Sequence, residues 1–585
     1  MHRFELWAPL AQRVDLVLGG DGEVSVPMHA DGDGWWSRVA DAAGPGTDYA
    51  YSLDGGDPLP DPRSLWQPHG VHGPSRVFEP SAFDWDDGQW PGPRQGEGAP
   101  GAIFYELHVG TFTSDGTLDA AVERLPHLVA LGVDVVEVMP LGAFPGRWGW
   151  GYDGAHPGAV HAPYGGPEAL QRFVAAAHRL GLGVCLDVVE NHLGPSGNYL
   201  SSFGPYFTDR TETPWGAALN LDGPGSEPVR RWILDRAIRW FRDFHVDALR
   251  LDAVHEMHDR SSRPFLAELS DATAALSASL GRPLALVAES DLNDARMVEP
   301  TREGGLGLTA QWDDDVHHAL HALLTGERQG YYVDFGSFEA LAKVLTRVFL
   351  HDGGWSTFRN AEWGRPVDPV RHRGHQFVAY LQNHDQVGNR AQGDRLSPAL
   401  APGLQAAGAA LVMCSAFTPM VFMGEEWGAS TPWQYFTDFE EPELARAVRA
   451  GRREEFAEHG WDPGEVPDPQ SASTRAASVL DWSEVAAPEH ARMLEWYRAL
   501  VALRRNSPEL LDDNLCRIEA AYDADAGWFV LVRGSHRVVV NVASVRREVP
   551  LGGPVTEVLA SWDLCTAHGQ SVAVEPQSVA IVRVG

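Results

Sequence analysis

Four short stretches of this chain carry residue types able to do carboxylate chemistry. In Asp247-Ala248-Leu249-Arg250-Leu251-Asp252-Ala253-Val254-His255 an arginine stands two residues from an aspartate inside an apolar run. A strand sends alternate side chains to opposite faces, so Arg250 and Asp252 project the same way. A permanent cation at that spacing favours the ionised carboxylate, the form that a carboxylate nucleophile needs. The competing reading is a structural Arg–Asp pair at a strand end. Val184 to His192 (VCLDVVENH), Leu284 to Asp291 (LALVAESD) and Phe377 to Gln386 (FVAYLQNHDQ) share the same design. Each is a buried-type strand whose chemistry-bearing residues, among them Asp187, Glu289 and Asp385, gather at its C-terminal end.

Such residues need a scaffold that presents strand ends together. Between about residues 103 and 427 the pattern alternates strand and helix, which implies a parallel sheet. Eight strands can be counted: 103–109, 133–140, the Asp187, Asp252 and Glu289 stretches, 308–312, the Asp385 stretch, and 420–424. The expectation is therefore an α/β fold built on a (β/α)8 TIM barrel, in which active sites form at the C-terminal strand ends. The loop from Phe144 to Gly166, rich in Gly, Pro, Trp and Tyr and containing Trp150 and Tyr152, has the length of a functional loop. Residues 1–95 alternate with period two between Gly/Asp/Pro turns and predict an immunoglobulin-like N-terminal β-sandwich, with 90–101 as a linker. Residues 96–507 then form the catalytic barrel with loop insertions, and 508–585 an antiparallel C-terminal β-sandwich.

Taken together, Asp-x-x-x-Asn-His at 187–192, Arg-x-Asp at 250–252, the strand-end Glu289 and Asn-His-Asp at 383–385 resemble the conserved regions of the α-amylase superfamily of glycoside hydrolases. The resemblance implies that Asp252 is the nucleophile, Glu289 the general acid/base and Asp385 the group that fixes the sugar. It further implies that Tyr152 packs on the sugar at the cleavage site, with Trp150 in the same loop as a substrate-binding candidate. By the same likeness His192 and His384 donate to that sugar, and Asp187 orients Arg250. The chemistry is two-carboxylate glycoside hydrolysis with retention. Crowding by Asp252 and Asp385 should keep Glu289 protonated. His255 and Glu256, just past the nucleophile, fall toward the leaving-group side; a plain Glu256–Arg260 ion pair is the alternative there.

The segments 203–208, 213–216, 220–224, 288–294 and 434–438 resemble the trehalose-releasing branch of that superfamily. This implies an α-glucan oligosaccharide with a terminal trehalose unit as substrate. The runner-up is a glycogen branching enzyme, and the alternative of another class is a non-catalytic glycan-binding protein.

Composition bounds the rest. At 585 residues the chain can bury several cores, and its 44% hydrophobic and 22% charged residues are ordinary globular material. A net charge of −34 repels nucleic acid and anionic membranes but not a neutral polyol. No apolar run reaches membrane-spanning length, and no signal peptide is visible. Cys185, Cys414, Cys516 and Cys565 are scattered, as in reduced thiols of a cytoplasmic protein. No acidic cluster of calcium-loop type stands out, so neither a metal nor a cofactor is expected, and the assembly expected is a monomer or dimer.

Overall fold

In the computed structural model, which describes residues 1–19, 24–458 and 466–585, eight parallel strands close into a barrel. They are β1 (Phe104–Leu107), β2 (Val135–Val138), β3 (Gly183–Val188), β4 (Ala248–Leu251), β5 (Ala285–Ala288), β6 (Ala310–Trp312), β7 (Phe377–Tyr380) and β8 (Thr418–Phe422). Each pairs with its sequence neighbour, and β8 closes on β1. These are the eight strands counted from the sequence.

Period two gives the barrel interior two characters. Its lower part is apolar, filled by Phe104, Val135, Cys185, Ala248, Ala285, Val378 and Met420. One pleat further along the same strands stand Glu106, Glu137, Asp187, Arg250 and Trp312, all buried. The strands are thus oily where they enter and charged where they leave.

Long helices cover the outside, among them α1 (Gly166–Arg179), α2 (Ser226–Asp243), α3 (Phe265–Leu280), α4 (Asp314–Thr325), α5 (Pro402–Cys414) and α6 (Pro488–Asn506). Helix α5 is buried almost throughout, because it lies between the barrel and the C-terminal domain. That domain is two antiparallel sheets, one of five strands and one of three.

The N-terminal domain is also two antiparallel sheets, of three and four strands. It docks on the barrel through Trp7 against Tyr206 (ring centroids 5.3 Å apart), the Trp232 indole N–H on the Pro62 carbonyl (2.9 Å) and Arg63 on Asp235 (3.1 Å).

The stretch expected to be a plain linker is packed against the bottom of the barrel. The Trp90 ring stacks on His178 (4.6 Å) and its N–H reaches Asp247 (2.8 Å). Asp247 also accepts from His178, Arg282 and the Val184 amide. Asp247 and Asp252 therefore sit at opposite ends of one strand, the first tying the bottom together and the second facing the top, where barrel chemistry belongs.

Candidate active site

Arg250 is fully buried at the end of β4, with three carboxyls around it. Its Nη1 donates to both oxygens of Asp187 (3.0 Å each) and to Asp252 (2.9 Å), while Nη2 lies 3.1 Å from Glu289. Strand register explains the grouping, since Asp187 on β3 is the lateral partner of Arg250 on β4. The guanidinium rests on the Trp312 ring, 4.2 Å from its centroid, a cation–π contact in a desolvated place.

The backbone turns sharply after the nucleophile candidate. Ala253 is left-handed (φ 37°), strained for a residue with a Cβ, and the turn aims its N–H at Glu289 Oε2, 2.6 Å away. Asp252 and Glu289 are thereby held by the same few atoms, Arg250 and this amide.

Their proton balance departs from the sequence expectation. Burial pushes the Asp252 carboxyl up, to about 8, against the pull of Arg250. Burial would raise Glu289 too, but Arg250 and the Ala253 amide outweigh it and bring Glu289 below its ordinary value. The reason is geometric: Glu289 leans onto two donors, so crowding by carboxylates is not what governs it. The two carboxyls share Arg250 and influence one another's titration, Asp252 being the one pushed up and Glu289 the one pulled down.

Asp385 caps the opposite wall. Its side chain is 40% exposed, the most open of the three carboxyls, as a group that meets a sugar should be. Asn389 donates to it (3.4 Å) from the next turn.

Tyr152 reaches the centre of the site. Its hydroxyl lies 2.6 Å from Asp187 and 2.8 Å from His384 Nε2, and its ring stacks on the His384 ring. His192 is drawn inward: Nε2 is on the Tyr152 carbonyl (2.9 Å), Nδ1 on Asn191 (3.1 Å), and burial lowers it to about 4. A neutral ring has one proton to give; spent on the Tyr152 carbonyl it fixes the Tyr152 loop, and a sugar contact would have to compete for it. Trp150, expected to bind substrate, is turned away from the open side of the site. It is buried on Trp433 (4.5 Å) and buttresses His384 edge-on from behind. Glu190, from the same polar cluster as His192, is taken by Arg236 of α2 (3.0 Å).

On the other side of Asp252, His255 accepts from the Asp291 amide (3.4 Å). Glu256 pairs with His258 (3.2 Å), not with Arg260. Asp291 itself is paired to Arg359, whose guanidinium lies over Trp363.

Sequence reasoning passed over several residues of this site. Glu106, on β1, binds His384 through both carboxylate oxygens. Trp312 carries Arg250, and Trp215, 48% exposed, stacks on His192 (4.1 Å). Asp314 accepts from Tyr380 (2.5 Å) and Gln386 (3.2 Å), and burial pushes it up to about 7. For Glu106 the signal was present, a carboxylate near the end of an apolar strand, as at Asp187. Among the described residues no group of three or more His, Cys, Asp or Glu comes together as a metal site. Nor is any helix there long and apolar enough to cross a membrane.

Comparison with known proteins agrees with this geometry. Residues 78–209 match the model of the alpha-amylase catalytic domain, and residues 1–68 that of carbohydrate-binding module 48, the isoamylase N-terminal domain. The malto-oligosyltrehalose trehalohydrolase of Arthrobacter ramosus is 52% identical over 556 residues, 94% of each chain. That of Rhizobium sp. (strain M-11) is 49% identical, covering 99% of this chain and 97% of its own. Among solved structures, a provisionally named alpha amylase from Salmonella typhimurium superposes with a TM-score of 0.90 at 36% identity, covering 100% of this chain and 97% of its own.

Proposed function

This chain belongs to the malto-oligosyltrehalose trehalohydrolase family of alpha-amylase-type glycoside hydrolases, and on that premise we propose that Asp252, Glu289 and Asp385 carry its reaction. The enzyme cleaves the α-1,4-glucosidic bond next to the terminal trehalose unit of maltooligosyltrehalose and releases trehalose. Neither glycogen branching nor non-catalytic glycan binding is favoured, since relatives spanning nearly the whole chain carry the trehalohydrolase name.

The observation that carries the assignment is the buried Arg250 shared by Asp187, Asp252 and Glu289 at the strand ends. Asp252 and Glu289 contact the two terminal nitrogens of one guanidinium, at 2.9 and 3.1 Å, an arrangement that favours a short gap between the carboxyls. Retaining hydrolysis uses such a short gap, about 5–5.5 Å, whereas inversion needs about 6.5–9.5 Å. In the forward step a carboxylate oxygen of Asp252 attacks the anomeric carbon while Glu289 gives its proton to the departing oxygen. Trehalose leaves, and the shortened glucan stays esterified to Asp252. Glu289, now ionised, takes a proton from water, and the resulting hydroxide attacks the same carbon and frees Asp252.

For this to run, the shared proton must move from Asp252 to Glu289. A glucosidic oxygen seated at Glu289 supplies an acceptor for that proton, and Arg250 then stabilises Asp252 as the anion. Asp385 and His384 grip the hydroxyls of the sugar at the cleavage point, with Tyr152 beneath it. His255, Glu256 and the Asp291–Arg359 pair stand on the leaving-group side, where the trehalose unit must be read. A site built to hydrogen-bond particular hydroxyls rejects sugars lacking them more strongly than an apolar pocket could. The acidic surface and the free thiols suit a monomeric or dimeric enzyme of the cytoplasm acting on a neutral glucan.

The test is to incubate the protein with maltooligosyltrehalose and, separately, with amylose, and to separate the products by chromatography. Trehalose should appear from the first, and NMR of the freshly released oligosaccharide should show the α-anomer. Absence of trehalose would overturn the substrate; an initial β-anomer would overturn the mechanism.

A further inference from the structure

We propose that Glu106 is a positioning residue for the hydrolysis, holding the His384 ring in place with both of its nitrogens as donors, so that Nε2 is presented to Asp385 and to the sugar bound there. The Glu106 carboxylate takes the His384 backbone N–H on Oε2 (3.0 Å) and lies 2.5 Å from Nδ1 through Oε1. It is fully buried, and both contacts cross from β1 to the turn after β7.

Donor counting decides the state of the ring. An ionised carboxylate only accepts, so Nδ1 carries a proton toward Glu106. On the other side, Nε2 faces the Tyr152 hydroxyl at 2.8 Å. That hydroxyl has one proton and lies closer to Asp187, at 2.6 Å. Asp187 takes Arg250 on both oxygens and is itself acceptor-only, so the tyrosine proton goes to Asp187. Nothing is left for Nε2 to accept. It must donate, to Tyr152 and to Asp385 3.5 Å away, and the ring is an imidazolium.

The surroundings agree in sign. Facing His384 are Glu106 and His108 from β1 and its end, Glu137 from β2, Tyr152 and Trp150 from the following loop, and Asp187 from β3. Arg250 from β4, Glu289 from β5 and Asp385 on its own turn complete the charged set, with the Trp312 and Trp433 rings alongside. Burial alone would lower the imidazolium, and Arg250 works the same way. Glu106 and Asp385 outweigh them and raise it to about 9. No other group bonds Nδ1, so Glu106 alone sets that side of the ring.

The assignment rests on reading His384 and Asp385 as sugar-binding groups, and its test separates the two. The pH profile of kcat/KM on maltooligosyltrehalose is measured for the wild type, Glu106→Gln, His384→Gln and the double variant. Glutamine keeps the size of Glu106 but loses its charge, which for a neighbouring ion pair moves a titration by about 1–3 pH units. Because the proton shared by Asp252 and Glu289 limits the alkaline side of the profile ahead of His384, the shift is read on His384 itself by NMR of ring-labelled histidine. Its titration in Glu106→Gln should fall to lower pH by that amount. In the His384→Gln background the same substitution should add little to the loss of kcat/KM. A Glu106→Gln enzyme with an unshifted His384 titration, or kcat/KM losses that simply multiply in the double variant, would overturn the proposal while leaving the catalytic carboxyls untouched. A wild type that releases no trehalose would instead overturn the function. Should Glu106→Gln fail to fold, NMR of ring-labelled histidine in the wild type decides, with the His384 signal assigned by its loss in His384→Gln. An imidazolium persisting above pH 8 supports the role; a neutral ring at pH 7 overturns it.

Discussion

Arg250 shows how much one residue can be asked to do. A single buried guanidinium holds Asp187, Asp252 and Glu289 within hydrogen-bonding reach, so neither working carboxyl has a protonation state of its own. In the proposed mechanism the pair shares one proton, which passes to Glu289 when the glucan binds. Removing the donor from that exchange should be costly. Glu289→Gln keeps size and the Ala253 contact but cannot give a proton, and kcat should drop by about 10²–10⁴-fold. Steady-state kinetics with maltooligosyltrehalose checks this, and a loss of only a few-fold would move the acid/base role to another residue. That Arg250 and Asp252 face the same way follows from a two-residue spacing on a strand. That Glu289 leans on Arg250 and the Ala253 amide instead of standing among repelling carboxylates does not, because it depends on a left-handed turn that no local pattern announces.

The loop after β2 and the short helix His384–Gly388 act as one unit. Trp150 from the loop lies on Trp433 and meets His384 edge-on, while Tyr152 two residues later stacks on the face of His384. Gly388 leaves the space this packing needs, since a Cβ built there would sit 2.1 Å from the Trp150 ring and 3.0 Å from Trp433. Gly388→Ala must push the indole stack aside. It should cost about 1–3 kcal/mol as overpacking, read by urea unfolding. It should also lower kcat, because His384 loses its support. Unchanged kinetics in a destabilised variant would show that the stack is structural only. The length of this turn-rich loop marked it as functional in the sequence; which ring lies buried on Trp433 and which reaches Asp187 depended on the partners each found.

At the level of the whole molecule, three domains share one acidic surface. The substrate is neutral, so there is no charge to steer and none to screen. kcat/KM should therefore change by less than about twofold between about 50 and 500 mM salt, measured at fixed pH. A steep salt dependence would reveal a charge in recognition that this account omits. Several things were readable along the chain alone: the barrel, its order of strands, and the gathering of polar residues at the ends of β3, β4, β5 and β7. Period two and the alternation of strand and helix are local properties, and they state which way a side chain points. Tertiary structure decided the rest. Glu106 and His384 are 278 residues apart and meet only because the barrel closes. Asp247 serves the floor of the barrel because the 90–101 segment packs beneath it. Glu289 is drawn below its ordinary value because Arg250 and the Ala253 amide reach it. Each of these turns on distances between separate strands and loops, which closure and packing set and which no pattern within one segment contains.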